Sequence, residues 1–124
     1  MSDAVESSPT PRLLVVDDQP AVREILAAML ELEGYEVTSA ASGIEGLALV
    51  RARRFDLVLL DVNMPGASGW SVLDRLEEIP GAPPVLMISD ERYEDEAYRR
   101  GAGFLSKPYR RAAVHEAVAR MLAA

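Results

Sequence analysis

A chain of 124 residues, 49% apolar and 27% charged, has the size and balance of one globular domain that buries its core without staples. The absence of cysteine excludes disulfides, thiolate zinc sites and iron–sulfur clusters. A net charge of −7 argues against direct nucleic-acid binding, which leaves a basic footprint.

The opening MSDAVESSPTP is polar and acidic, which predicts a flexible tail over 1–11 ahead of a domain over 12–124. It has neither the basic nor the apolar region of a secretory signal. No apolar run approaches the ~18 residues of a membrane span, so a soluble cytoplasmic protein without membrane insertion is expected. LLVVDD (13–18) is a short apolar run ending in two acids. Pro20 suits the first turn of a helix, where its missing N–H costs nothing. Val22, Ile25, Leu26, Met29 and Leu30 then repeat at helical spacing, and Gly34 stops the helix.

YEVTSA (35–40) reads as a weaker strand. Ile44, Leu47 and Ala48 mark a second helix running to about Arg53. FDLVLLD (55–61) is another continuous apolar run ending in an acid. MPGASG (64–69) is a loop, and Trp70, Leu73 and Leu76 share a helix face. VLMIS (85–89) is the third fully apolar run. A short polar helical stretch covers about 91–100, GFLSKP (103–108) holds a short strand, and Val114, Ala117, Val118, Met121 and Leu122 give a last amphipathic helix.

Strand and helix therefore alternate five times, which means an α/β fold with a parallel sheet and helices on both faces. Residues 13–16, 57–60 and 85–88 are apolar throughout, as strands buried on both faces are. Residues 36–39 and 103–106 are mixed, as edge strands can be. The doubly wound, flavodoxin-like (βα)5 order 2-1-3-4-5 satisfies that division.

Ligands of such sheets bind beyond the carboxyl ends of the strands, at the switch point between the first and third. Those ends carry Asp17, Asp18 and Asp61; the fourth strand ends at Ser89, and the fifth at Ser106 and Lys107. Lys107 is the one lysine beside twelve arginines. Two carboxylates ~4 Å apart at an effective dielectric near 20 repel by about 4 kcal/mol, so a cluster of three raises its pKa values or recruits a cation. Hard oxygen ligands without His or Cys select Mg²⁺, with Mn²⁺ possible, over zinc or copper. A carboxylate, a divalent cation, a hydroxyl and an ammonium together suit a phosphoryl group, with Asp61 as the nucleophile.

Each residue also has a plainer reading. An acidic pair after a strand can cap a helix, Ser89 can close a turn, and Lys107 can be a solvated charge. Phe104 can be an ordinary core aromatic, and Asn63 a loop residue that tolerates turn geometry. Trp70 is expected to pack, His115 to be exposed or half-buried, and Tyr93 and Tyr98 to pack or to meet a partner. No P-loop motif occurs.

LLVVDDQP, LVLLDVNMPGASGW, VLMIS and GAGFLSKPY resemble the response-regulator receiver domain of two-component signalling, over about residues 12–122. The likeness is to the single-domain, chemotaxis-regulator-like members. It implies that Asp17 and Asp18 are the acidic metal pair and that Asp61 is the phosphoacceptor. The backbone carbonyl of Asn63 completes the Mg²⁺ ligands by the same resemblance. Ser89 is then the switch hydroxyl, Lys107 the site lysine and Phe104 the switch aromatic. Asn63 and Glu91 fall where members of the family tune phosphoryl lifetime.

The implied partners are a histidine kinase or histidine phosphotransfer protein as donor and a downstream protein target. A monomer or a phosphorylation-linked dimer is implied, and the chain is either a stand-alone receiver or a piece of a longer protein. The stretch from Ser89 to Lys107 is about three residues shorter than usual for the family, a loss within the fourth helix or its loops. The alternative is a receiver-like protein-binding module that works without phosphorylation. An Asp-nucleophile hydrolase is disfavoured because Asn63 stands where its second Asp belongs. A flavin role is disfavoured because acids occupy the place where a phosphate needs donors.

Overall fold

The computed structural model describes residues 9–124, so the expected tail lies outside the described residues as far as residue 8. Five strands form one parallel sheet in the order β2-β1-β3-β4-β5. They are β1 (Arg12–Val16), β2 (Glu36–Ala40), β3 (Leu57–Asp61), β4 (Val85–Ser89) and β5 (Gly103–Ser106). Between and after them lie α1 (Pro20–Leu32), α2 (Gly43–Ala52), α3 (Gly69–Glu77), α4 (Glu94–Arg99) and α5 (Arg111–Ala123). A 3-10 turn, Glu91–Tyr93, leads into α4. The expected strand order and the division into central and edge strands are both present.

Alternate residues of each strand serve opposite faces of the sheet. Leu14, Val16, Val58 and Leu60 meet Leu47, Val72, Leu73 and Leu76 on the α2–α3–α4 side. Leu13, Val15, Leu57 and Leu59 meet Leu26, Leu30, Val114 and Val118 on the α1–α5 side. Both faces are covered, which is why the central strands are apolar without alternation. Pro11 is already tied to the sheet, its carbonyl accepting a hydrogen bond from the Glu36 N–H at 3.0 Å.

Local signals set the helix limits. Pro20 opens α1, and beyond its end Gly34 adopts φ +94°. Ser42 caps α2, its hydroxyl accepting from the Glu45 N–H at 3.2 Å, while the Glu45 carboxylate accepts from the Ala41 N–H at 2.6 Å. Ser42→Ala is expected to lower the unfolding free energy by about 1 kcal/mol. Urea unfolding checks this, and a variant within about 0.3 kcal/mol of the parent would refute the cap.

The helix faces differ from expectation in two places. Ile25 is 57% exposed and Ile44 80% exposed. Helix α2 does not pack on Ile44, because Gly43 and Gly46 bring its backbone against Val72 and Val16, where a Cβ would collide. That approach buries the glycine face with Leu47 and Val50 and turns Ile44 and Ala48 to solvent. In α1, Leu26 and Leu30 carry the contact with the sheet, one helical step round from Ile25.

Candidate functional site

The strand register brings the polar residues to one edge. Asp61 pairs with Ile88, and Ser89 with Ser106, so β3, β4 and β5 end side by side. Asp17 and Asp18 follow β1 directly. Asp17, Asp61 and Ser89 are 5%, 4% and 1% exposed, the buried polar residues among those described.

One carboxylate oxygen from each of Asp17, Asp18 and Asp61 lies within 4.8 Å of the others. Asp17 does not cap α1. Its Oδ1 accepts from the Gln19 N–H at 2.9 Å, Gln19 holds the N-cap position, and the Asp17 carbonyl accepts from Arg23 at 2.8 Å. Asp18 Oδ1 is buried and has no hydrogen-bond partner. A buried carboxylate oxygen without a donor is costly unless a cation completes it. Three converging hard oxygens, one of them unpartnered, fit a hard divalent cation with room left for water.

Lys107 reaches the same place from the loop after β5, its Nζ donating to Asp61 Oδ1 at 3.0 Å. Its own N–H donates to the Ser89 carbonyl at 2.7 Å, which fixes the loop to the end of β4. The Lys107–Pro108 peptide is cis. Burial raises the pKa of Asp61; Lys107 pulls against the rise, and Asp17 and Asp18 add to it. Burial opposes the charge of Lys107, but its bond to Asp61 and the nearby acids outweigh that and raise its pKa. Beside them Tyr109 is half-buried, and burial raises its pKa as well.

Asn63 plays a part that sequence does not indicate. Its side-chain Nδ2 donates to Ser89 Oγ at 3.2 Å, joining the β3–α3 loop to β4. Gly69, the first residue of α3, lies against the backbone of Asp61 and Val62, and its N–H donates to the Val62 carbonyl at 2.7 Å. The Pro and Gly content of MPGASG marks a loop; only the fold shows which glycine touches the site. Phe104 is half-buried against the α2–α3–α4 core, two residues before Ser106. Glu91 is exposed at the start of the 3-10 turn.

Helix α4 has six residues. Its anchor is Arg100, which donates to Glu96 at 2.7 Å and to Asp74 of α3 at 2.8 Å. The Arg100 guanidinium lies 5.1 Å over the Trp70 ring, and Tyr93 meets Trp70 edge-on at 6.0 Å. Trp70 and Tyr93 therefore pack. Tyr98 is exposed and bonds Glu94 at 3.1 Å. His115, half exposed on α5, lies 3.2 Å from Glu33.

The model of the response regulator receiver domain family matches residues 13–119, and the chain belongs to that family. Its members are the receiver domains of two-component signalling, switches rather than classical enzymes, for which Mg²⁺ and a phosphorylated Asp are typical. They interact with histidine kinases and downstream effectors. The chain is 36% identical over 115 residues to the probable transcriptional regulatory protein TcrX of Mycobacterium tuberculosis, covering 90% of this chain and 48% of TcrX. It thus spans about half the length of that relative. It is 36% identical over 103 residues to Protein PilH of Pseudomonas aeruginosa, covering 78% of this chain and 85% of PilH. Response regulator TrrA of Thermotoga maritima, solved in complex with Mg²⁺–BeF, superposes with a TM-score of 0.84 at 31% identity, covering 91% of this chain and 100% of that one. Among the described residues, no helix is long and apolar enough to cross a membrane.

Proposed function

We propose that residues 12–124 form a phosphorylatable receiver in which Asp61 accepts a phosphoryl group from a phosphohistidine. The donor is a histidine kinase or a histidine phosphotransfer protein, and the site of action is the cytoplasm. The observation that carries this reading is the meeting of the Lys107 ammonium with Asp61 at 3.0 Å, beside two further carboxylates, one with an unpartnered oxygen.

The carboxylates of Asp17, Asp18 and Asp61 and the backbone carbonyl of Asn63 would hold Mg²⁺, or Mn²⁺ in its place. When bound, the cation supplies charge neutralisation at the phosphoryl oxygens. A carboxylate oxygen of Asp61 attacks phosphorus; the new O–P bond forms as the P–N bond to the donor imidazole breaks. Lys107 turns its ammonium from Asp61 to a phosphoryl oxygen. Ser89 gives up its contact with Asn63 and donates a hydrogen bond from its hydroxyl to a phosphoryl oxygen. Phe104 follows into the space that Ser89 vacates.

The phosphoryl group adds close to two negative charges. It favours one of two pre-existing conformations of the α4–β5–α5 face by its differential affinity for them. That face meets a downstream protein target, as a monomer or as a phosphorylation-linked dimer. The PilH and TcrX likenesses and the Mg²⁺–BeF complex of TrrA support this reading.

Intact-mass spectrometry tests it. With Mg²⁺ and a small-molecule phosphodonor, the chain should gain one phosphoryl mass. Asp61→Asn, and the parent chain without Mg²⁺, should gain none. If rapid hydrolysis hides the adduct, Mg²⁺-dependent beryllofluoride binding replaces it. Failure of both overturns the reading in favour of a binding module that works without phosphorylation.

A further inference from the structure

The opposite end of the sheet carries a second concave site. The connections before β3 and before β4 enclose a cleft of about 590 Å³, within the ordinary range of ~300–1,000 Å³ for ligand clefts. Its apolar lining includes Phe55, Ile79 and Pro83. Arg51, Arg53 and Arg54 stand around it, all exposed.

Three arginines within four residues are out of place on a chain of net charge −7. The C-terminal end of a helix favours a cation, which accounts for Arg51. It bears also on Arg53, the C-cap residue of α2, and leaves Arg54, which lies beyond the helix. Arg53 lies 5.7 Å from the Phe55 ring, so its charge is held over the apolar lining. The one acid in the lining, Asp56, is already engaged. It accepts from the Arg12 N–H at 2.8 Å and lies 3.9 Å from Arg54. Among the described residues, neither Arg51 nor Arg53 has an acidic side chain within 4.0 Å.

We infer that this cleft docks an extended, acidic peptide segment of a partner protein, with an apolar side chain seated over Ile79 and Pro83. Charge complementarity argues for this occupant. The chain as a whole repels an acidic partner, so a hollow lined by three arginines and one already engaged acid is where such a partner is tolerated. Pro80, Pro83 and Pro84 in the lining hold the hollow in shape before binding, which limits the ordering cost of docking. The site is also independent of the acidic cluster. Leu57, the first residue of β3, and Asp61, the last, are separated by about 13 Å of strand at ~3.3 Å per residue. A partner held here leaves the carboxylate edge open.

Fluorescence anisotropy tests the inference. The probe is a fluorescein-labelled decapeptide alternating Glu and Leu, titrated with the full chain at physiological salt. Saturable binding is expected, and none by the same peptide with Lys for Glu. The double variant Arg51→Gln/Arg53→Gln should bind at least tenfold more weakly while still unfolding cooperatively in urea, because both side chains are exposed. Asp61→Asn should bind the peptide as the parent does, which separates this result from the fate of the phosphorylation reading. Absence of saturable binding overturns the inference, as does a double variant that binds equally well. Preferential binding of a single-stranded oligonucleotide at the same arginines overturns it in favour of a nucleic-acid contact.

Discussion

Gly69→Val is expected to lower the unfolding free energy by about 3 kcal/mol and to weaken divalent-cation binding at least tenfold. A Cβ at Gly69 would collide with the Asp61 carbonyl oxygen and come within 2.8 Å of the Val62 Cα. Both are backbone atoms, and neither can give way as a flexible side chain would. Asp61 is paired in the sheet with Ile88, and the Val62 N–H donates to the Ile88 carbonyl at 3.1 Å. The strain must therefore open the loop at Gly69 or shift the end of β3. Either movement displaces Asp61 and Asn63 together.

Gly66 provides the contrast. It lies in the same loop at φ +86°, with nothing within 4 Å of a Cβ. Gly66→Ala meets only the left-handed backbone cost of about 1–2 kcal/mol and should leave the cation affinity unchanged. Urea unfolding with and without Mg²⁺ compares the two. A Gly69→Val chain within about 1 kcal/mol of the parent would show that the contact is slack.

Mg²⁺ at a hundred times its dissociation constant should add about 2.7 kcal/mol to the stability of the parent chain, by mass action on the folded state alone. Asp18→Ala should abolish most of that gain. In the absence of metal the same variant should be no less stable than the parent, because it removes an unpartnered buried oxygen and one of three mutually repelling charges. Urea midpoints at matched ionic strength give both numbers. An Asp18→Ala chain that gains as much from Mg²⁺ as the parent would remove Asp18 from the site.

The pH dependence has a definite sign. Asp61 has a raised pKa, so the metal-free folded chain holds this proton more tightly than the unfolded chain does. Its contribution to metal-free stability is therefore unfavourable at neutral pH and is relieved as pH falls through the raised value. Protons and Mg²⁺ compete for the same oxygen. The stabilisation by Mg²⁺ should then fade on acidification earlier than an ordinary carboxylate would dictate. Lys107, raised by the same pairing, contributes in full at neutral pH and loses its contribution as pH rises from the ordinary lysine value through its own raised pKa.

Much of this was legible in the residues, for identifiable reasons. LLVV, LVLL and VLMI are apolar without alternation, and only a strand covered on both faces needs that; strand order followed. An acid at the end of each of two such strands, with Ser89 and Lys107 at the ends of the next two, converges only once the order is known. Sequence did not reveal where α2 makes its contact. Gly43 and Gly46 carry no hydrophobic signal, yet their lack of a side chain decides which face of the helix lies down. Ile44 misleads for the same reason. The Asn63–Ser89 hydrogen bond spans 26 residues, and nothing local to either residue announces it. The Arg100 anchor is similarly hidden, because its partners Trp70 and Asp74 belong to a helix two elements earlier.

Lys107 is the only lysine in the chain, and its ammonium rests on Asp61. Apart from the α-amine, the protein's sole side-chain amine is thus a component of its candidate site. Acylating or reductive-alkylating reagents aimed at amines have one internal target, and whatever protects it does so at Asp61. The yield of such a label is a direct chemical gauge of the site's state in a chain whose twelve guanidiniums do not react and whose one imidazole forms no stable adduct with the reagent.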